Sequence, residues 1–217
     1  MFKKRMKGSF RNILTALVLS FILPALLPAQ DMEDNTFGGW EFFEVNHEFG
    51  NGPFFAKFYF EFDNYQFSRM ECWYTRTSFG LKLLPWLKAN VAYDYLRYPS
   101  FTTHKAVLDF IGTLKEGGLS VSIRERYMHD WTPSTGAQGD VIRSRLKVQY
   151  AIPETRFSPY LAVEVFTWGD EWIKTRHYVA CDYDLSKSVQ LEGYYLYYAF
   201  NGLPAEHVIG TGINFYF

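Results

Sequence analysis

The sequence predicts an all-β chain that closes as an antiparallel up-and-down transmembrane β-barrel of ten to twelve strands. Three observations predict it. From Trp40 to Phe217 apolar residues recur at every second position in segments of about ten residues, the period of a strand with two unlike faces. Aromatic residues make up 20% of the chain, yet no apolar run after residue 30 is long enough for a spanning helix. The chain also starts with the features of an export signal.

Lys3, Lys4, Arg5, Lys7 and Arg11 form a basic start, Ile13–Leu27 an apolar stretch, and Leu27-Pro28-Ala29 a small-residue cleavage site before Gln30. Residues 1–30 therefore read as a cleaved signal peptide and 31–217 as one barrel domain. The leader holds five of the 22 Lys and Arg and none of the 23 Asp and Glu, so the exported part is more acidic than the whole chain at −1. That balance excludes nucleic acid as a partner. No cysteine follows the apolar stretch, which gives lipoprotein attachment no support.

The segments follow in order. Trp40–Phe49 lies between Gly38-Gly39 and Gly50-Asn51-Gly52-Pro53. In Phe54–Asp63 four phenylalanines share one face with Ala56, against Lys57, Glu61 and Asp63 on the other. Met70–Leu83 sends Trp73, Thr75, Thr77, Phe79 and Leu81 one way and Tyr74, Arg76, Ser78 and Lys82 the other, and Pro85 ends it. Leu87–Leu96 and His104–Leu114 continue the pattern, with Lys88, Asn90, Asp94, Lys105 and Asp109 on the polar side. Leu119–Met128 opposes Leu119, Val121, Ile123 and Tyr127 to Ser120, Ser122, Arg124 and Arg126. Glu125 falls on the apolar side, which predicts a bulge or a site near the membrane edge.

Asp140–Tyr150 carries the sharpest alternation: Ile142, Ser144, Leu146, Val148 and Tyr150 against Arg143, Arg145, Lys147 and Gln149. In a barrel the first set faces lipid and the second the lumen. Tyr160–Phe166, Ile173–Asp184, Val189–Tyr198 and Val208–Phe217 complete the wall, the last ending on an outward phenylalanine as bacterial outer-membrane barrels do. Alternation sends Cys72 inward and Cys181 outward, which predicts two free thiols. The turns near 51–53, 84–85, 116–118, 153–158 and 186–188 read as short. Those near 64–69, 98–103, 129–139, 168–172 and 201–207 read as longer, the asymmetry of periplasmic turns and outer loops. Eleven segments sit awkwardly with the even count of single-chain bacterial barrels. A short strand before Trp40 would make twelve, and exclusion of the first segment would leave ten.

The inward positions place a basic wall of Arg124, Arg126, Arg143, Arg145, Lys147, Lys174 and Arg176 beside acidic partners Glu164, Asp182, Asp184 and Glu192. The simpler arrangement is ion pairing that plugs the lumen, because buried charges need partners. The sharper one is a narrow pore in which cations face acids across a constriction and select small polar solutes.

A lipid-modifying enzyme of the lipase or acyltransferase class would need a nucleophile and base near the lipid surface. His129-Asp130 with Ser134 in one polar loop is the nearest approach to such a set. Outward His177 and Ser144 are separated by an intervening strand. No G-x-S-x-G, H-E-x-x-H or phosphate-loop motif is present, and no catalytic residue, metal cluster or cofactor is expected.

The runs RSRLKVQY (143–150), SPYLAVEVF (158–166) and KTRHYVACDYDLSKSVQLEGYYLYY (174–198) resemble the domain-of-unknown-function family 2490, proteins that look like outer-membrane barrels of Bacteroidetes and related Gram-negative bacteria. The resemblance is close over the C-terminal half and loose over the N-terminal half. It implies a fold and a bacterial outer-membrane location, and brings no activity or site residues with it. The expectation is a monomeric structural or narrow-channel barrel whose partners are outer-membrane lipid and small polar solutes. The alternatives are the lipid-modifying enzyme and a soluble periplasmic β-sandwich that binds a ligand.

Overall fold

The structure is a computed structural model that describes residues 36–67 and 69–217; the expected signal peptide lies outside the described residues. Eleven strands follow one another: β1 (Thr36–Glu48), β2 (Phe54–Tyr65), β3 (Arg69–Leu84), β4 (Leu87–Arg97), β5 (Thr102–Glu116), β6 (Leu119–Thr132), β7 (Ala137–Tyr150), β8 (Phe157–Trp168), β9 (Glu171–Asp184), β10 (Val189–Phe200) and β11 (Leu203–Tyr216). Each pairs antiparallel with the next, and β1 pairs with β11 to close the barrel. The sandwich alternative falls here, since a closed sheet has no second sheet to pack on.

Neither way of restoring an even count is realised. The first segment stands in the wall, and with eleven alternating strands β1 and β11 necessarily run the same way. Their seam is parallel, with Trp40 opposite Gly210 and Val45 opposite Phe215. It continues to the last residue: Glu48 N–H donates to Phe217 O at 3.0 Å, and Phe217 N–H donates to Asn46 O at 2.9 Å.

The alternation resolves as expected. Val91, Ile123, Val179 and Ile209 are more than half exposed on the outside, part of an apolar belt around the barrel. A water-soluble monomer rarely exposes more than a few hundred Å² of contiguous apolar surface, so a belt of this kind belongs in lipid. Trp86, Tyr150, Phe157 and Tyr183 flank it towards one rim, and Trp73, Tyr95, Trp131, Trp168 and Tyr197 towards the other. Cys72 is buried on the inner side, Cys181 is outward, and both thiols are free.

Glu125 faces outward in the middle of β6 with the ladder unbroken: it pairs with Ser144 of β7, whose Oγ donates to Glu125 Oε2 at 2.6 Å. The expected bulge is replaced by a single hydrogen bond between two lipid-facing side chains.

The expected turn asymmetry is absent. Connections are two to six residues long at the rim of the Pro85 turn and two to four at the rim of the Tyr98 turn. The segment 129–139, read as the longest loop, is mostly ladder, with Trp131 opposite Gln138 and Thr132 opposite Ala137. Polar Thr and Gln can continue a strand where it emerges from lipid, because backbone pairing does not need an apolar side chain. Three of the four two-residue turns rest on glycine: Gly117, Gly169 and Gly202 have φ of 59°, 60° and 73°, the left-handed region open to glycine without strain.

Inside, the wall is not uniform. Trp40, Tyr160, Tyr178, Tyr194, Leu196, Tyr198 and Val208 pack as one apolar pad on β1 and β8–β11. Three inner glycines make room for rings: a Cβ on Gly210 would meet Tyr194 Cζ at 1.9 Å, one on Gly212 the Phe42 ring at 2.2 Å, and one on Gly80 the Phe55 ring at 2.1 Å. The ring covers the gap that the missing side chain leaves.

Candidate functional site: the charged lumen

A polar cavity of about 650 Å³ runs inside the barrel, lined by residues from all eleven strands. It extends from Cys72, Tyr98 and Glu206 near one rim to Gln190, Asn214 and Tyr216 near the other. Tyr98 lies in the turn between β4 and β5, where burial pushes its phenol above the usual range.

All seven residues of the expected basic wall line this cavity: Arg124, Arg126, Arg143, Arg145, Lys147, Lys174 and Arg176. Of the four expected acids, Asp182 and Glu192 line it as well. Glu164 is completely buried behind the arginines, with 0% of its side chain exposed. Asp184 is exposed at the end of β9, where its Oδ1 accepts from Gln190 Nε2 at 2.7 Å.

Strand register decides who meets whom. Arg124 stands directly opposite Arg145, and Arg126 directly opposite Arg143, so four guanidinium groups form a block on β6 and β7. Like charges in that position repel. The carboxylates that relieve them come from the flanking strands. Asp109 on β5 takes Arg126 in a two-bond fork, Nε to Oδ1 at 2.5 Å and Nη2 to Oδ2 at 2.8 Å. Glu164 on β8 takes three: Arg124 Nη2 at 2.7 Å, Arg143, and Arg145 Nε at 3.6 Å. Tyr178 adds its hydroxyl to the same carboxylate at 3.2 Å.

The remaining pairs follow the same rule. Arg76 forks onto Asp94, its opposite number on β4, at 2.7 and 2.6 Å, and Lys105 bonds Asp130 at 2.7 Å. Lys57 reaches Glu44 at 3.2 Å on the neighbouring strand, and Lys147 reaches Asp182 at 3.6 Å two strands away. Among the described residues, every ion pair inside the barrel thus joins strands that are adjacent or next but one. The charges pair along the wall rather than across the lumen, and the cavity persists beside them.

Aromatic faces hold the cations as much as acids do. Lys147 lies 3.6 Å from the centre of the Tyr160 ring, Arg143 lies 4.9 Å from Phe166, and Arg176 lies 4.4 Å from Tyr198 and 4.7 Å from Trp40. Across the lumen, Glu61 accepts from Tyr59, and Asp63 shares the same strand; neither makes an ion pair among the described residues. Reasoning from sequence had not singled out Glu61, Asp63, Asp94 or Asp109. Their signal was present in the alternation, which put each on the polar side of its segment.

The loop constellation dissolves. His129 points outward and its Nδ1 lies 2.8 Å from Asp140 Oδ1, which also accepts from Tyr127 at 2.6 Å, while Asp130 points inward to Lys105. His177 on the outer face of β9 bonds Thr175 at 3.2 Å. Among the described residues no serine hydrogen-bonds to either histidine, and no group of His, Cys, Asp and Glu is arranged to hold a metal.

Comparison with known proteins agrees with this architecture. A family model described as a protein of unknown function, DUF2490, matches residues 37–206. A solved structure of the NanC porin is similar over 75% of this chain and 81% of its own, with a TM-score of 0.51 at 14% identity. The KdgM porin matches 72% of this chain and 81% of its own, with a TM-score of 0.47 at 12% identity. At such identities the likeness to the first is one of fold. No curated protein matches the sequence.

Proposed function

This chain belongs to the DUF2490 family, and we propose that it serves as a narrow channel for small polar solutes in a bacterial outer membrane. The observation that carries this reading is the direction of the ion pairs. Pairs formed across a lumen would close it, whereas these run from strand to strand around the wall and leave a polar cavity of about 650 Å³. Cations on β6–β9 and polar groups on β2 line that space, which favours small polar solutes over apolar ones.

In this role the partners are lipid outside and solute inside, and a monomer suffices because one chain closes its own barrel. The leader at residues 1–30 would direct export, and residues 31–217 would form the mature protein. Fractionation tests the location: the protein should remain in outer-membrane fractions through a salt wash and should migrate on gels in a heat-modifiable way. Planar-bilayer recording tests the channel: purified protein should give discrete, ohmic steps of small conductance. A silent bilayer with folded protein would return the lumen to a structural role.

A further inference from the structure

The inner surfaces of β6–β9 carry seven cations, namely Arg124, Arg126, Arg143, Arg145, Lys147, Lys174 and Arg176, against the acids Asp130, Glu164 and Asp182 on the same strands, with Asp184 at the rim. Asp130 is committed to Lys105 on β5, Asp182 to Lys147 and Gln149, and Asp184 to Gln190. Asp109 on β5 is matched one to one with Arg126. Glu164 alone therefore serves Arg124, Arg143 and Arg145, and it does so from complete burial, while the three side chains above it remain 17%, 15% and 22% exposed. What the cavity meets at this wall is guanidinium, with its counter-charge hidden underneath.

Two further observations point the same way. Buried Nε atoms of Arg124 and Arg176 find no acceptor among the described residues, and Arg145 Nε reaches Glu164 only at 3.6 Å, so the three arginines of one rung across β6, β7 and β9 keep unfilled donor capacity. Arg176, the register partner of Glu164, makes no ion pair among the described residues, donating instead to Tyr198 Oη at 3.2 Å. Aromatic rings under Arg143, Arg145 and Arg176 fix the cations without neutralising them.

From this geometry we infer an oxyanion-binding site on the β6–β9 wall, centred on Arg124, Arg145 and Arg176, that takes a small solute by its carboxylate or phosphate group. The inference deepens the channel reading and rests on it for the solute's passage. Planar oxyanions match the fork of a guanidinium, and burial beside the lumen makes each such bond stronger than it is in water.

The test is calorimetric titration of the refolded full-length barrel in uncharged detergent with inorganic phosphate and, separately, with succinate. Saturable binding is expected for at least one, and the tighter of the two identifies phosphate or carboxylate as the preferred group. Arg124→Gln and Arg145→Gln should each weaken binding about tenfold, the scale of one charge-assisted hydrogen bond. Glu164→Gln, which keeps an acceptor for one guanidinium but removes the shared counter-charge, should tighten it. That opposite sign separates a binding site from general damage, and heat-modifiable migration reports folding of each variant. Absence of binding, or binding indifferent to all three substitutions, overturns the site. Bilayer recording under a potassium chloride gradient distinguishes the two claims. Anion binding without current removes the channel and keeps the site; current without binding of either phosphate or succinate removes the site and keeps the channel.

Discussion

Arg124 on β6 and Arg145 on β7 are direct cross-strand partners, and both guanidinium groups are aimed at one carboxylate, Glu164 on β8. Side by side, two cations would drive these strands apart; with Glu164 between them they become part of one ionic cluster. Replacing Glu164 by Leu leaves three arginines without their shared counter-ion. The expected loss is about 3–5 kcal/mol, the usual result of breaking a buried pair from one side. Guanidinium-induced unfolding of the barrel in detergent or lipid vesicles measures it.

Tyr194 lies over Gly210 so closely that a Cβ there would sit 1.9 Å from the ring, whereas a Cβ on Gly193 would meet nothing within 4 Å. Gly210→Ala should therefore destabilise the barrel by about 1–3 kcal/mol through overpacking. Gly193→Ala should be nearly neutral. Equal effects of the two in an unfolding titration would contradict the ring-over-glycine packing.

Glu125 is a lipid-facing acid in the middle of a strand, with Ser144 as its hydrogen-bonding neighbour. Acids on the lipid face cost less than lysine or arginine, yet they still cost, so Glu125→Leu should stabilise the barrel in vesicles by about 1–2 kcal/mol. Ser144→Ala should do the reverse by removing the donor. A destabilised Glu125→Leu would mean that something other than lipid covers this face.

The closing seam can be trapped. Val45 and Phe215 are partners in the parallel register. With Cys72 and Cys181 replaced by Ser, the pair Val45→Cys and Phe215→Cys should cross-link under mild oxidation and yield a circularised monomer that, after boiling, migrates differently from the reduced linear chain. Failure to cross-link in a folded barrel would speak against the parallel closure.

In the unaltered protein the two thiols should stay apart. Cys72 is buried inside β3 and Cys181 faces outward on β9, strands separated by several others around the barrel. Mobility should be the same with and without reductant. A membrane-permeant maleimide should label Cys181 before Cys72, and both should react only after unfolding when the reagent is charged.

Alternation told which side chains share the lumen, because a strand leaves each residue only two faces. It could not tell which of them touch. Arg124, Arg143 and Arg145 gather on Glu164 through the register of three strands, and a shift of one rung would have paired them differently. The parallel seam was implicit in the eleven segments, but the even count usual for single-chain barrels pulled the reading to ten or twelve. Turn lengths were misjudged because Thr132 and Ala137 have the composition of a loop and the hydrogen bonds of a ladder.

Strand parity has a consequence for how the chain crosses its membrane. A barrel with an even count returns to the side from which it set out. Here β1 starts at the rim that carries the Tyr98 turn, and β11 finishes at the rim that carries the Pro85 turn. In a bilayer those rims open on different compartments, so Thr36 and Tyr216 stand on opposite sides and the polypeptide makes one net passage. Antibodies or proteases applied to intact cells would meet one end of the barrel and not the other.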